Sequence, residues 1–248
     1  MKLFSIAVFL LLCMGTYAQE RFNNVYYDPD GNLSNTVVIN SDEYVVFTGT
    51  LAEGGRGIGL SKVSFTGNIL IQKDFKFDGL NTYEGKNNCF NYDNSTGIYY
   101  FCGTAEDAVY NAYPFFVMLD ENLDTLRTFM FDVDSVGGAW DIIKQNDSIF
   151  AIITQNILPS DYAMGLILFN VNNSNTIIKL DYNVGSIPST ESGSVIIKTH
   201  DNKLLLGGFT FGFSIGTYKQ DWYLVKTDSI GNMLWERYYG NPSENDGR

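Results

Sequence analysis

The sequence predicts an all-β fold: a β-propeller of four-stranded antiparallel blades repeating about every 53 residues. Three observations carry that prediction. The 248 residues are 15% aromatic and 18% charged with 24 glycines, the composition of packed strands and tight turns. Runs with helical spacing are almost absent beyond the first turns of the chain. A marker also recurs: EYVVFTGT ends near Gly49, GIYYFCGT puts Gly103 at the same place, SIFAIITQ puts Thr154 there and NKLLLGGFT puts Gly208 there, in steps of 54, 51 and 54 residues.

The chain opens on MKLFSIAVFLLLCMGTYAQE, with Lys2, an apolar run from Leu3 to Cys13 and a small residue at Ala18, the three parts of a secretory signal over residues 1–18. That run is short of the roughly 20 residues a bilayer crossing needs. Leu12, just before Cys13, does not suit a lipoprotein signal, which wants a small residue there. The expectation is an exported mature chain from Gln19 without a transmembrane segment, extracellular or at the cell surface, or else periplasmic.

Four units follow. The first reads TVVIN, YVVFTG, IGLSKVS and ILIQKDF, four short strands separated by Gly, Asn, Asp and Ser turns. Paired strands around a polar turn recur in PFFVMLDENLDTLRTFMF, GLILFNVNNSNTIIKLDY and DWYLVKTDSIGNMLWERYY. Blades are expected at about 36–77, 86–131, 139–182 and 193–240. FNNVYYDPDG matches ERYYGNPSENDG, and Tyr27 to Tyr239 spans 212 residues, four periods of about 53. Residues 22–27 therefore read as an extra N-terminal outer strand with no partner blade, which predicts a sequence cut from a longer reading frame.

The units KTDSIGNMLWERYYG and SVIIKTHDNKLLLGGFT resemble the repeats of exported propeller proteins of Bacteroidetes, which often end in a type IX secretion sorting domain. The resemblance spans about residues 22–248. It is weaker in the third unit, where VNNSNT replaces the turn, and no sorting domain is present in these residues. It implies a secreted or surface-displayed propeller and no particular reaction.

Charge narrows the partners. The formal net charge is −12, and loss of residues 1–18 would remove Lys2 and no acid, giving −13. Nucleic acid needs clustered Lys and Arg to neutralise phosphates, so it is excluded as a partner. Anionic surfaces are poor partners for the same reason. An acidic coat keeps an exported protein in solution.

Cys89 and Cys102 lie in NCFNYDNSTGIYYFC. A turn centred on Ser95 and Thr96 sets them opposite one another, as either a disulfide or two buried thiols, whereas a bulge at Gly97 would break that register.

Motifs with chemistry are few, and no metal or cofactor is expected. Asp228 in TDSIGNMLW reads as a turn former bonding its own backbone, with Trp235 packing between blades. DPDGNLS alternates Asp28, Asp30, Asn32 and Ser34, but Gly31 comes early and Ile39 stands where a calcium loop needs Glu. GGRGIG is followed by a strand and has no helix to hold a phosphate. His200 is the single histidine, in a turn, which removes histidine triads and multi-histidine metal sites.

In such a blade the loops from second to third strand share a face with the links to the next blade. Those loops, TLAEGGRG, TAEDAVYNAYP, QNILPSDYAMG and FTFGFSIGTYKQD, vary most. They carry the candidate ligand residues Asp107, Tyr110, Tyr113, Asp161, Tyr162, Phe211, Phe213 and Tyr218, whose rings and carboxylates suit a glycan or a protein. The leading expectation is a noncatalytic binding or assembly propeller. The alternatives are a carbohydrate-active hydrolase or lyase using a carboxylate pair, for which the 28 acidic residues leave ample material, and a structural spacer module.

Overall fold

A computed structural model describes residues 34–40, 43–52, 55–86, 88–133, 135–159, 161–183, 190–211 and 220–240. The proposed signal, the strand at 22–27 and most of the DPDGNLS motif lie outside the described residues. Every regular element among the described residues is a strand.

The first sheet runs β1 (Ser34–Ile39), β2 (Glu43–Ala52), β3 (Gly55–Ser64) and β4 (Ile69–Phe75). The second holds β5 (Asn81–Glu84), β6 (Phe90–Asp93), β7 (Ile98–Glu106), β8 (Ala112–Leu119) and β9 (Thr125–Met130). The third is β10 (Val136–Lys144), β11 (Ile149–Ile157), β12 (Tyr162–Asn170) and β13 (Asn173–Tyr182), and the fourth β14 (Glu191–Lys198), β15 (Leu204–Thr210), β16 (Asp221–Thr227) and β17 (Met233–Tyr239). All neighbouring strands pair antiparallel, in chain order except that β5 and β6 both pair with β7, and each sheet packs on the next, so these are propeller blades.

Burial follows the geometry. The second and third strands of a central blade are covered on both faces, so β7 and β12 bury seven consecutive residues each. The fourth strands β4, β9 and β17 are largely exposed and form the outer rim. Aromatic rings join the blades: Phe47 of blade 1 stacks on Phe90 of blade 2 at 5.0 Å, and Phe116 of blade 2 meets Phe150 and Phe169 of blade 3 at 4.9 Å each. Such pairs add about 0.5–1.5 kcal/mol to the burial of the rings. A separate apolar cluster, including Ile153, Leu166, Leu206 and Tyr223, joins blades 3 and 4.

The repeat marker has a steric basis. Gly103 lies where β7 presses on β5, so a Cβ there would meet the Tyr83 carbonyl oxygen at 2.2 Å; at Gly208 it would meet the Ser192 carbonyl at 1.9 Å. The turns repeat as well. Asp120 and Asp228 each accept two backbone amides of their own turn through Oδ1, and the fourth residue, Leu123 or Gly231, takes a left-handed φ of 60° or 91°. Asp228 is thus the expected turn former. Trp235 differs from expectation: it stands on the outer strand, 38% exposed, with the Arg237 guanidinium 5.8 Å from its ring.

Blade 2 departs from a simple four-strand unit. Its first strand is split into β5 and β6, both paired to β7, because the intervening chain leaves the sheet and Lys86 N–H donates to the Trp140 carbonyl of blade 3 at 2.6 Å. Beyond the interruption, Phe90 faces Phe101, the register set by a turn at Ser95 and Thr96. Cys102 N–H donates to the Cys89 carbonyl at 3.0 Å, and both cysteines are buried free thiols, with burial pushing each thiol pKa up.

Candidate functional site

The first strands of blades 3 and 4 carry a bulge at the same place. Trp140 is the extra residue between Ala139 and Asp141, and Ser194 the extra residue between Gly193 and Val195. The interruption of blade 2 starts at the same place, after Glu84 opposite Gly103, and Lys86 is its second residue. A bulge re-aims a side chain without breaking the sheet. These three side chains converge: the Lys86 ammonium lies 4.6 Å from the Trp140 ring centre and 3.4 Å from Ser194 Oγ.

Beside them, at the end of the blades that carries the second-to-third loops, a cleft of about 420 Å³ is lined by Arg56 of blade 1, Tyr83, Glu84, Thr104, Glu106 and Ala112 of blade 2, and Gly137 and Trp140 of blade 3. Its backbone is fixed by side chains that cross between strands. The Asn81 carboxamide oxygen accepts Arg56 N–H at 3.1 Å, and Thr104 Oγ1 accepts Ala139 N–H at 3.0 Å, tying blade 1 to blade 2 and blade 2 to blade 3.

Two carboxylates face this space with different surroundings. Glu84 pairs through Oε1 with Arg56 at 3.4 Å, and its buried Oε2 has no hydrogen-bond partner among the described residues. Glu106 stands beside the Tyr83 hydroxyl. Burial, and then the neighbouring Glu106, raise the Tyr83 pKa, so the phenol stays protonated. The Arg56 guanidinium lies 5.0 Å from the Tyr83 ring centre, holding the ring in place. Other buried acids are already engaged in structure. Asp141 accepts the backbone amides of Ile142 and Ile196, and Glu191 accepts Thr210 Oγ1 at 2.9 Å. The cleft therefore combines two carboxylates, one fixed cation, two donors and two aromatic rings, the equipment for acid–base work on a hydroxyl-rich ring.

The loop residues expected from sequence divide into two groups. Asp107 and Tyr110 sit on the β7–β8 loop that joins the cleft residues Glu106 and Ala112, and Tyr113 is the second residue of β8. Asp107 Oδ1 accepts Val109 N–H and Asn111 N–H, with Tyr110 at φ 67° and 81% exposed. Tyr113 is partly buried against the core. Asp161 and Tyr162 lie at the β11–β12 connection, where Asp161 accepts Thr190 Oγ1 at 2.7 Å, and Phe211 packs on Phe209. Phe213 and Tyr218 lie outside the described residues. Sequence reasoning missed Arg56, Tyr83, Glu84, Glu106 and Trp140. Arg56 stood within GGRGIG, and the usable signal was charge inside otherwise apolar strand segments. Among the described residues no cluster of His, Cys, Asp and Glu fits a metal ion.

No protein-family model matches the chain, nor does any curated protein sequence. Solved structures do. An endo-arabinase from Bacteroides thetaiotaomicron matches at 13% identity and TM-score 0.48 over 92% of this chain and 82% of its own. A thermostable family-43 glycoside hydrolase matches at 13% and 0.47, over 86% and 77%. An alpha-L-arabinofuranosidase from Podospora anserina, in complex with cellotriose, matches at 11% and 0.45, over 87% and 70%. The likeness is one of fold. All three are carbohydrate-cleaving enzymes, and the loop face here carries a two-carboxylate cleft. Those names run against the expectation of a noncatalytic binding or assembly propeller and toward its carbohydrate-active alternative, while the likeness itself assigns no activity to this chain. No helix among the described residues is long and apolar enough to cross a membrane.

Proposed function

We propose that this propeller is an exported carbohydrate-active hydrolase that cleaves a glycosidic bond in the cleft between blades 1, 2 and 3. The observation that carries the reading is the pairing of Glu84 and Glu106 in one aromatic-lined cleft with unlike surroundings. Glu84, held by Arg56 at 3.4 Å, takes the role of activating water or attacking the anomeric carbon. Glu106, the second carboxylate of the cleft, takes the role of acid toward the leaving oxygen. The Tyr83 and Trp140 rings offer apolar faces for sugar C–H groups, and Tyr110, Tyr113 and Asp107 extend the rim for further sugar units. Tyr83 is a poor general base with its raised pKa, which favours hydrolysis over a lyase reaction with that residue as the base.

The test is release of reducing ends from a panel of plant and microbial polysaccharides by the intact chain, with Glu84→Gln and Glu106→Gln as controls. Activity lowered about 10²–10⁴-fold in each variant, with unchanged melting, supports the assignment. Full activity in both variants sinks it. Export rests on the apolar run before Ala18 and on the repeat resemblance to Bacteroidetes propellers. Secreted protein whose N-terminus is Gln19 by mass spectrometry supports it, and protein retaining Met1 overturns it.

A further inference from the structure

The corner where Lys86, Trp140 and Ser194 meet is rich in donors. Lys86 is half-buried, and among the described residues no carboxylate lies within ion-pair distance of it, although seven ion pairs occur elsewhere. Its neighbours are a ring face and a hydroxyl. The indole Nε1 of Trp140, the residue shared with the cleft, is buried and also lacks a partner among the described residues. Those ion pairs hold six of the twelve described Lys and Arg residues; Lys86 is outside them although half-buried, and a covered cation without an acid costs desolvation with no matching ion pair. Burial indeed lowers the Lys86 pKa. The strand interruption that places it there leaves Cys102 paired, its carbonyl accepting Gly85 N–H at 3.3 Å and its N–H donating to the Cys89 carbonyl at 3.0 Å, while Lys86 N–H turns to the Trp140 carbonyl of blade 3.

From this geometry we infer that the cleft takes an acidic glycan, and that Lys86 Nζ and Ser194 Oγ bind its anionic substituent, a sugar carboxylate or a sulfate ester. Lys86 and Ser194 come from different blades and stand 3.4 Å apart, close enough for one anion to accept from both. The Trp140 ring beside the ammonium holds the lysine side chain in the extended position that reaches Ser194. The inference rests on the proposed glycan cleft but concerns charge selection, which can be measured without turnover.

Binding is measured by calorimetry on the whole chain with three matched oligosaccharide series: uronate, 6-O-sulfated and neutral. The expected result is an affinity for one acidic series at least tenfold above the neutral one, weakening with added salt. Lys86→Met reduces that ratio about tenfold, Ser194→Ala reduces it less, and Lys86→Arg restores most of it, with each variant's melting curve confirming its fold. Preference for uronate assigns a carboxylate, and preference for the sulfated series a sulfate. Equal affinity for acidic and neutral sugars, or an unchanged ratio in Lys86→Met, overturns the inference. If acidic sugars bind selectively and are not cleaved by the wild-type chain, the hydrolase reading fails and this one stands. Cleavage of neutral glycans with no acidic preference is the reverse outcome.

Discussion

The Asp141 carboxylate of blade 3 accepts the backbone amide of Ile196 in blade 4 at 2.8 Å through one oxygen and the amide of its own neighbour Ile142 at 2.7 Å through the other. It therefore fastens two blades where the bulges of β10 and β14 leave backbone groups unpaired. Burial nonetheless raises its pKa from 3.8 to about 6, outweighing the bonds to Ile196 and Ile142. Because the folded state holds this proton more tightly than the unfolded chain does, the contribution is fully present below about pH 4 and is lost as pH rises through about 6. At 1.36 kcal/mol per pKa unit, the loss is on the order of 3 kcal/mol. Asp141→Asn removes this pH dependence, but it presents an NH2 to an amide that needs an acceptor and costs about 1–3 kcal/mol at pH 4. Chemical denaturation of both proteins from pH 4 to 7 checks this. A wild-type minus variant difference that stays flat with pH contradicts it.

Asp93 and Lys144 give the opposite slope. Lys144 of β10 reaches across to Asp93 of β6 at 2.6 Å, joining blades 2 and 3. Burial alone would raise the Asp93 pKa, but the bonds from Lys144, Ser95 and Thr96 outweigh it and hold the carboxylate well below its ordinary range. A depressed pKa stabilises the fold above about pH 4, and the gain disappears as pH falls further. Both side chains are largely covered, so Lys144→Met is expected to cost about 2 kcal/mol at pH 7, between the values for exposed and buried pairs. A double-mutant cycle with Asp93→Asn measures the coupling, and a value near zero rejects it.

The propeller was legible in the sequence because its cause is local and repeated. Gly103 and Gly208 recur where β7 and β15 press against their inner neighbours, and Asp120 and Asp228 recur where the same turn is needed. The cleft obeys no such period. Arg56, Glu84, Glu106 and Trp140 come from three blades and occupy different positions within them, so no spacing along the chain relates them. Glu84 ends β5 and Lys86 lies within the break between β5 and β6, which has no counterpart in the other blades. Asp107 and Tyr110 were legible because loop length alone marks that face, although Asp107 turned out to brace its own loop.

Two glycines separate fold from function. Ala at Gly103 would place its Cβ 2.2 Å from a backbone carbonyl that has no freedom to yield, and it should destabilise the chain by about 3 kcal/mol or more. Ala at Gly49 would instead meet the Glu84 carboxylate at 2.8 Å, the movable end of a side chain. Gly49→Ala is expected to change stability by less than about 1 kcal/mol while lowering kcat/KM roughly ten- to a hundredfold by displacing that carboxylate. Thermal melts and glycan turnover on the two variants test the contrast. Equal loss of stability in both would show that the Gly49 contact is structural only.

Tyr83 is the clearest test of how the cleft divides its labour. Its hydroxyl stands beside Glu106, while its ring is held by Arg56, which also pairs with Glu84, so one side chain lies between both carboxylates. Tyr83→Phe keeps the ring and its cation contact and deletes only the donor. If Glu106 delivers the proton to the leaving oxygen, an unanchored carboxyl spends less time aligned, and kcat should fall roughly tenfold with KM little changed. Substrates with an activated leaving group need no proton, so on an aryl glycoside the same variant should run near the wild-type rate. A loss of equal size on both substrates would place Tyr83 in sugar binding and detach Glu106 from the acid role, whereas a loss confined to the poor leaving group requires a proton donor that Tyr83 aligns.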